Sequence, residues 1–239
     1  MIPRIIHYCW FGGNKKPDYV LKCLESWHIH LPDFEIKEWN ESNFPLTHPF
    51  LKNAMHFKLW AFVADFARVV VLKKEGGLYL DTDILFIRPL PEYFLTYDAF
   101  AGAEDEKYIN AGIIGAKKES VFIDKLFNYY NSLGSVTNYN EYIIPRVITH
   151  RIFALKAPIT DNCQFDDLTV FMPDYFYPLP GHLKNEDWTA FVTPNTICVH
   201  LWGGSWLEKQ SFNVFEKIRN RCIRKYAQWK TQFNENSHR

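Results

Sequence analysis

The chain has no excess of either charge: 27 Lys and Arg stand against 27 Asp and Glu in 239 residues, for a formal net charge of +0 at pH 7. Tracking a nucleic-acid backbone takes a concentration of Lys and Arg, so nucleic acid is not an expected partner. Cysteine is sparse: Cys9, Cys23, Cys163, Cys198 and Cys222 are odd in number and contain no C-x-x-C pair. That spacing suggests neither a zinc knuckle nor a disulfide frame, and reduced, buried thiols are expected. Glycine and proline are few, 11 and 13, in a chain that is 47% apolar, which excludes a disordered composition. No stretch reaches about 18 uncharged apolar residues, and Pro3, Arg4 and His7 interrupt the start where a secretory signal needs an unbroken apolar core. A cytoplasmic location is expected from these absences. Aromatic residues are plentiful, with 20 Phe, 13 Tyr and 8 Trp, more than a core of this size needs. Flat faces stack on sugars and bases, so some are expected to line a ligand site.

No linker divides the chain, and a single domain over residues 1–239 is the expectation. Strand and helix patterns alternate. Ile5, Ile6, Tyr8 and Trp10 form a short apolar run closed by Gly12 and Gly13. Residues 17–30 place Val20, Leu24 and Trp27 at helical spacing before Pro32, residues 34–39 alternate as a second strand, and residues 54–74 read as one long helix ended by Gly76 and Gly77. LYLDTDILFI, AFAGAE and INAGIIGA read as three strands, residues 121–131 as a helix and residues 196–200 as a last strand, with residues 155–180 irregular between them. Alternation of this kind predicts an α/β fold around a mostly parallel sheet. Residues 212–232 or so read as a C-terminal amphipathic helix with Phe215, Ile218, Cys222, Tyr226 and Trp229 on one face. Residues 208–230 carry seven basic side chains against Glu208 and Glu216. The preferred reading docks this helix on the domain with a solvated basic face; the other seats it on anionic lipid at the inner face of the membrane, beside a lipid-linked acceptor.

The sharpest local signal is GGLYLDTDI, residues 76–84. In an extended segment Tyr79, Asp81 and Asp83 share one face. Two converging carboxylates beside apolar surface are costly without a cation, and hard oxygen ligands suit Mg²⁺ or Mn²⁺. Upstream, Asp65 and Arg68 lie three apart on the predicted helix, either as an intrahelical salt bridge or as an acceptor and donor for a sugar hydroxyl. In VHLWGGSW, His200 can complete a metal shell while the glycines let Ser205 and Trp206 close over a ligand; a lone histidine is more often a satisfied core or surface residue. Trp10 stands at the carboxyl end of the first strand, where ligands of open α/β sheets bind, although from the sequence alone a core tryptophan is the preferred reading. Asn110, beside Ala111, offers both a donor and an acceptor at the start of an apolar strand.

IPRIIHYCWFGG, FVADFARVVVLKKEGGLYLDTDI, INAGIIGA and HLWGGSW, in this order, resemble the motifs of glycosyltransferase family 32, which includes bacterial capsular and lipopolysaccharide sugar transferases and is more distantly similar to the large clostridial glucosylating toxins. The resemblance spans residues 2–206. It implies a GT-A fold, a nucleotide-sugar donor, Mn²⁺ or Mg²⁺, and transfer with retention of anomeric configuration. It further implies that Trp10 stacks on the base, that Asp65 and Arg68 bind the donor sugar, and that Tyr79 contacts the donor. Asp81 would touch ribose and metal, Asp83 would ligate the metal, and His200 would join its shell. Asn110 and Ala111 would lie near the transferred sugar, and Ser205 and Trp206 would close over the diphosphate.

The expected activity is therefore hexose transfer from a nucleotide sugar, with a UDP-linked donor favoured, to a saccharide acceptor in a growing surface polysaccharide. Asp83→Ala is expected to abolish it with the fold intact. Glu104, Asp161, Asp166 and Asp167 are all available as a nucleophile, and nothing in the sequence chooses among them. A Mg²⁺-dependent phosphohydrolase of haloacid dehalogenase type also uses Asp-x-Asp after an apolar strand, which would make Asp81 the nucleophile. A non-catalytic sugar-binding protein would keep the aromatics without needing the carboxylate pair.

Overall fold

The computed structural model describes residues 1–136 and 138–203. Ser205, Trp206 and the expected C-terminal helix lie outside the described residues.

The strands are β1 (Ile5–Cys9), β2 (Glu35–Trp39), β3 (Gly77–Leu80), β4 (Ile84–Phe86), β5 (Ala99–Ala103), β6 (Ile109–Ala116), β7 (Cys163–Phe165), β8 (Leu168–Phe171) and β9 (Cys198–His200). The larger sheet has the order β2-β1-β3-β6-β5-β8-β7. β1 pairs parallel with β2 and β3, and β5 pairs parallel with β8. β6 runs antiparallel between β3 and β5, and β7 antiparallel at the edge, so all strands except β6 and β7 point the same way. The carboxyl ends of β1, β3, β5 and β8 and the start of β6 therefore share one rim, where open α/β sheets bind ligands.

The strands are nearly all apolar because both faces of the sheet are covered. On one side Cys9, Tyr79, Ala101, Ile114 and Val170 pack against three helices, α2 (Pro49–His56), α3 (Trp60–Glu75) and α4 (Val121–Asn131). On the other, Ile6, Leu78, Leu80 and Phe100 pack against Trp27 of α1 (Asp18–His30) and against the β4 and β9 pair. Ser120 caps α4, its hydroxyl accepting from Ile123 N at 3.3 Å.

Three sequence expectations are corrected. The long helix over residues 54–74 is two helices, because Lys58 takes a φ of 55° and Leu59 N bonds back to Ala54 O at 2.8 Å; the apolar pattern runs on across this break and hides it. Residues 155–180 are not irregular throughout, since they supply β7 and β8. β8 has only four residues, too short for its alternation to stand out beside the flanking Asp and Pro. The third correction concerns the DTD segment. LYLDTDILFI is not one strand: β3 ends at Leu80, Ile84 N closes a tight turn onto Asp81 O at 3.0 Å, and β4 leaves to pair with β9 in a separate two-stranded sheet.

Gly76 and Gly77 make the entry into β3 possible. Gly76 ends α3 with a φ of 67°, its N–H bonding Leu72 O at 2.8 Å, and Gly77 has a φ of 104°. A Cβ on Gly77 would sit 2.6 Å from Ile5 O, so only glycine lets β3 lie against β1 here. Among the described residues Cys9, Cys23 and Cys198 are buried free thiols and Cys163 is half-buried and free, as expected.

Candidate active site

The site is built at the β3–β4 break. Asp81 follows β3, and its N–H donates to Gly112 O at 2.7 Å, tying it to β6. Asp83 sits on the turn. β9 pairs antiparallel with β4 in a register that sets His200 opposite Ile84, one residue from Asp83. His200 Nε2 lies 3.0 Å from Asp83 Oδ1, Gly203 N donates to Asp83 Oδ2 at 2.9 Å, and Leu201 N donates to Asp83 O at 2.9 Å. Burial works against charge on Asp83, but His200 and the Gly203 N–H hold its carboxyl below the usual carboxylate value. Burial would likewise lower the His200 pKa, and Asp83 reverses that and raises it.

Asp81, Asp83 and His200 each offer one ligand atom, and these atoms all lie within 4.8 Å of one another. Two hard carboxylates and an imidazole are a donor set that Mn²⁺ or Mg²⁺ accepts. Among the described residues His200 Nδ1 is buried without a hydrogen-bond partner. The residues present therefore fit a divalent cation. The acids converge through the turn and the β4–β9 pairing, not through alternation along one strand as the sequence reading had it.

Arg68 links the other half of the site. It is 4% exposed, and its Nη2 lies 2.8 Å from Asp65 Oδ1 and 3.2 Å from Asp81 Oδ1. Its Nη1 donates to Ala111 O at 2.6 Å, and its guanidinium carbon stands 4.4 Å from the Tyr79 ring centroid. The intrahelical salt bridge and the site role, open alternatives in the sequence, are thus one network. Burial opposes the guanidinium charge, yet Asp81, Tyr79 and Asp65 raise the pKa, so Arg68 stays charged; burial raises the Asp65 carboxyl despite the pull of Arg68. Tyr79 is 1% exposed, so it backs Arg68 from below and does not open onto the rim.

Asn110 and Ala111 belong to an irregularity in β6. The β5 register jumps from Ala101 opposite Ile114 to Gly102 opposite Asn110, leaving three residues of β6 to bulge out. Asn110 Oδ1 accepts from Gly112 N at 2.7 Å, its amide donates to Glu104, and Ile113 N donates to Tyr177 OH at 2.9 Å. A Cβ on Gly112 would lie 3.2 Å from Asn110 Oδ1, 3.2 Å from Asp81 Oδ2 and 3.3 Å from Tyr177 OH, so three polar groups converge above this glycine. Sequence reasoning missed Gly112 and Tyr177. Tyr177 follows β8 in the segment read as irregular, where no local signal marks it.

Trp10 stands apart from this network at the end of β1. It is half-buried, its indole N–H donates to Asn14 O at 2.7 Å, and the Lys16 ammonium lies 5.6 Å from its ring centroid. Trp202 has a φ of 52°, unusual for a bulky residue, and packs edge-on to His200 with centroids 4.1 Å apart while its N–H bonds Leu179 O at 2.8 Å.

Residues 17–101 match the glycosyltransferase sugar-binding region containing DXD motif, which takes in Asp65, Arg68, Asp81 and Asp83. The chain is 26% identical over 222 residues to a glycosyltransferase of Acanthamoeba polyphaga mimivirus, covering 86% of this chain and 84% of that protein. It is 26% identical over 194 residues to an alpha-1,4-N-acetylglucosaminyltransferase of Homo sapiens, covering 73% of this chain and 54% of that protein, so it spans about half of the human enzyme's length. Among solved structures it is similar to the PaToxG glycosyltransferase, with a TM-score of 0.50 and 16% identity over 64% of this chain and 68% of that one. The fold is GT-A, a mostly parallel sheet flanked by helices. With the DXD region and these relatives, the chain is an enzyme of the glycosyltransferase class.

Proposed function

We propose that the enzyme transfers a hexose, with retention of anomeric configuration, from a UDP-linked donor to a saccharide acceptor in surface polysaccharide synthesis, of the capsule or lipopolysaccharide type. The observation that carries this reading is the convergence of Asp81, Asp83 and His200 on the rim beside the Asp65–Arg68 pair. The named activities of the relatives, N-acetylglucosamine transfer by the human enzyme and galactose transfer by a Mus musculus lactosylceramide 4-alpha-galactosyltransferase 24% identical over 180 residues, support a hexose-type donor.

Asp81, Asp83 and His200 would hold Mn²⁺ or Mg²⁺, which supplies positive charge to a departing diphosphate when bound. Arg68, fixed by Asp65 below and by the Tyr79 ring, keeps Asp81 in place and holds the Ala111 peptide that floors the sugar position. Asn110, pinned through Gly112 N and Glu104, presents its amide beside that sugar. Trp10 offers a half-buried face to the base at the far end of the rim. Such a pre-set array stabilises charge where it develops, with no reorganisation during the reaction. The acceptor hydroxyl attacks on the face the diphosphate leaves, and its proton passes to a diphosphate oxygen. Among the described residues no helix is long and apolar enough to cross a membrane. The basic segment at residues 208–230 remains the candidate for peripheral contact with a lipid-linked acceptor.

The test is a thermal-shift and hydrolysis screen against UDP- and GDP-sugars with and without Mn²⁺. Stabilisation and slow metal-dependent cleavage by one donor is the expected result, since a ligand that binds only the folded state raises its melting temperature. Silence toward every donor, with metal-dependent phosphate release from phosphomonoesters, would replace this reading with the phosphohydrolase.

A further inference from the structure

Four acids were left open by the sequence, and the structure separates them. Asp161 is exposed. Asp166 is exposed and pairs with Lys125 at 2.7 Å. Asp167 spends both carboxylate oxygens on the first turn of α4, accepting from Val121 N at 2.7 Å and Phe122 N at 2.8 Å. Glu104 stands at the carboxyl end of β5 and is the one of the four hydrogen-bonded to a residue of the candidate site, Asn110; Asp161, just before β7 at the same rim, is exposed.

Glu104 is half-buried and has no cationic partner within salt-bridge distance among the described residues, unlike Asp65, Asp81 and Asp83. Among the described residues its side chain bonds the Asn110 amide through Oε2, and Oε1 has no partner there. Its backbone is held in a tight hairpin: Glu104 N bonds Tyr108 O at 2.9 Å, and Asp105 Oδ1 closes the turn on Lys107 N and Tyr108 N at 2.7 and 2.9 Å. Burial raises the Glu104 carboxyl against the pull of the Asn110 amide.

Position along the rim decides what Glu104 meets. Reading from Asp81, the point above Gly112 comes first, then Asn110, then Glu104. β3 and β5 flank β6, so their ends stand about 10 Å apart at ordinary strand spacing. Trp10 is on the opposite side of Asp81, just past the end of β1. A donor laid with its base toward Trp10 and its diphosphate at Asp81 and Asp83 puts its sugar near Asn110, and the next sugar out reaches Glu104. A half-buried carboxylate with one spare oxygen and no cation is a hydrogen-bond acceptor for a hydroxyl, and leaving it unpaired is unfavourable enough to favour a hydroxyl-bearing ligand.

We propose that Glu104 is an acceptor-binding residue, which takes a hydrogen bond from a hydroxyl of the acceptor sugar and so helps select it. This rests on the glycosyltransferase reading above. The experiment compares wild type, Glu104→Gln and Glu104→Ala for transfer to p-nitrophenyl glycosides of galactose, glucose, N-acetylglucosamine and mannose, and for donor hydrolysis without a glycoside. Gln keeps an oxygen for the Asn110 amide, so its melting temperature separates a folding defect from a binding one. Both variants should lower the ratio of transfer to hydrolysis about 10- to 100-fold, mainly through a higher acceptor KM. An unchanged ratio, or a wild type that hydrolyses a donor yet transfers to no glycoside, overturns the assignment. A wild type that neither binds nor hydrolyses any nucleotide sugar defeats the underlying glycosyltransferase reading instead.

Discussion

Asp83 accepts the backbone N–H of Gly203 at 2.9 Å, joining the DXD turn to the chain segment 120 residues later. With the Leu201 N–H on its carbonyl and His200 on its other carboxylate oxygen, Asp83 anchors the strand that delivers a candidate metal ligand. A candidate metal ligand is thus also a structural anchor.

The first prediction follows from that double role. Asp83→Ala removes the acceptor for both Gly203 N and His200 Nε2, so it should lose about 1–3 kcal/mol of stability as well as activity. The sequence reading expects an intact fold; the bonds to Gly203 N and His200 predict a measurable loss of stability besides. Urea unfolding measures the loss, and the Mn²⁺-induced rise in melting temperature should vanish in the variant. A full Mn²⁺ response in Asp83→Ala would show that the cation binds elsewhere.

Arg68 neutralises two acids at once and is itself buried. Arg68→Met leaves Asp65 and Asp81 without their cation, and breaking a buried pair costs about 3–5 kcal/mol. Arg68→Lys keeps the charge but cannot bridge Asp65, Asp81 and Ala111 O together. It should fold, with donor KM raised and kcat lowered. Unfolding curves and donor titrations on the two variants check this; Arg68→Lys kinetics equal to wild type would mean that the fork geometry is unimportant.

Two glycines of β6 should respond in opposite ways. A Cβ on Gly115 would lie 2.1 Å from the Phe100 ring, so Gly115→Ala must displace a core aromatic and lower stability by about 1–3 kcal/mol. A Cβ on Gly112 meets Asn110, Asp81 and Tyr177 at 3.2–3.3 Å, a crowding relieved by shifts of tenths of an ångström. Gly112→Ala should therefore melt near the wild-type temperature while turnover drops, because those three side chains are the ones displaced. Melting curves and donor hydrolysis rates compare the pair directly.

His7 sets a pH dependence of stability. It is fully buried on β1, its Nδ1 accepting the Trp39 indole N–H at 3.1 Å, which leaves Nε2 as the donor to Gly76 O at 2.9 Å. Burial lowers its pKa. The folded state thus resists a proton that the unfolded chain takes up near pH 6.5, so this contribution is complete above about pH 6.5 and declines below it, by up to about 1.4 kcal/mol per pH unit. Denaturation at pH 7.5 and pH 5.5 should show the drop, and it should shrink in His7→Gln. An equal drop in both proteins would assign the effect to other groups.

Much of this was legible in the sequence because it is local. β1, α1, β2, β5, β6 and α4 announce themselves through period, caps and the glycines that end them, and the i,i+3 spacing of Asp65 and Arg68 makes them neighbours on one helix face, with the ion pair one of two readings. The resemblance added the expected GT-A fold, which the structure bears out. What local pattern could not show depends on distant chain. The chain breaks away after Asp81 because Ile84 N closes a turn onto Asp81 O and β9 draws β4 into a second sheet. Tyr177 reaches Ile113 from a segment with no period of its own, and Arg68 finds Asp81 only when α3 packs on β3. Of the four spare acids, contacts between distant segments put Glu104 beside Asn110 and give Asp166 and Asp167 to α4. Side-chain type and spacing determine which groups are present; hydrogen bonds and packing between residues far apart in sequence decide which of them meet, because those contacts form only when the whole sheet does.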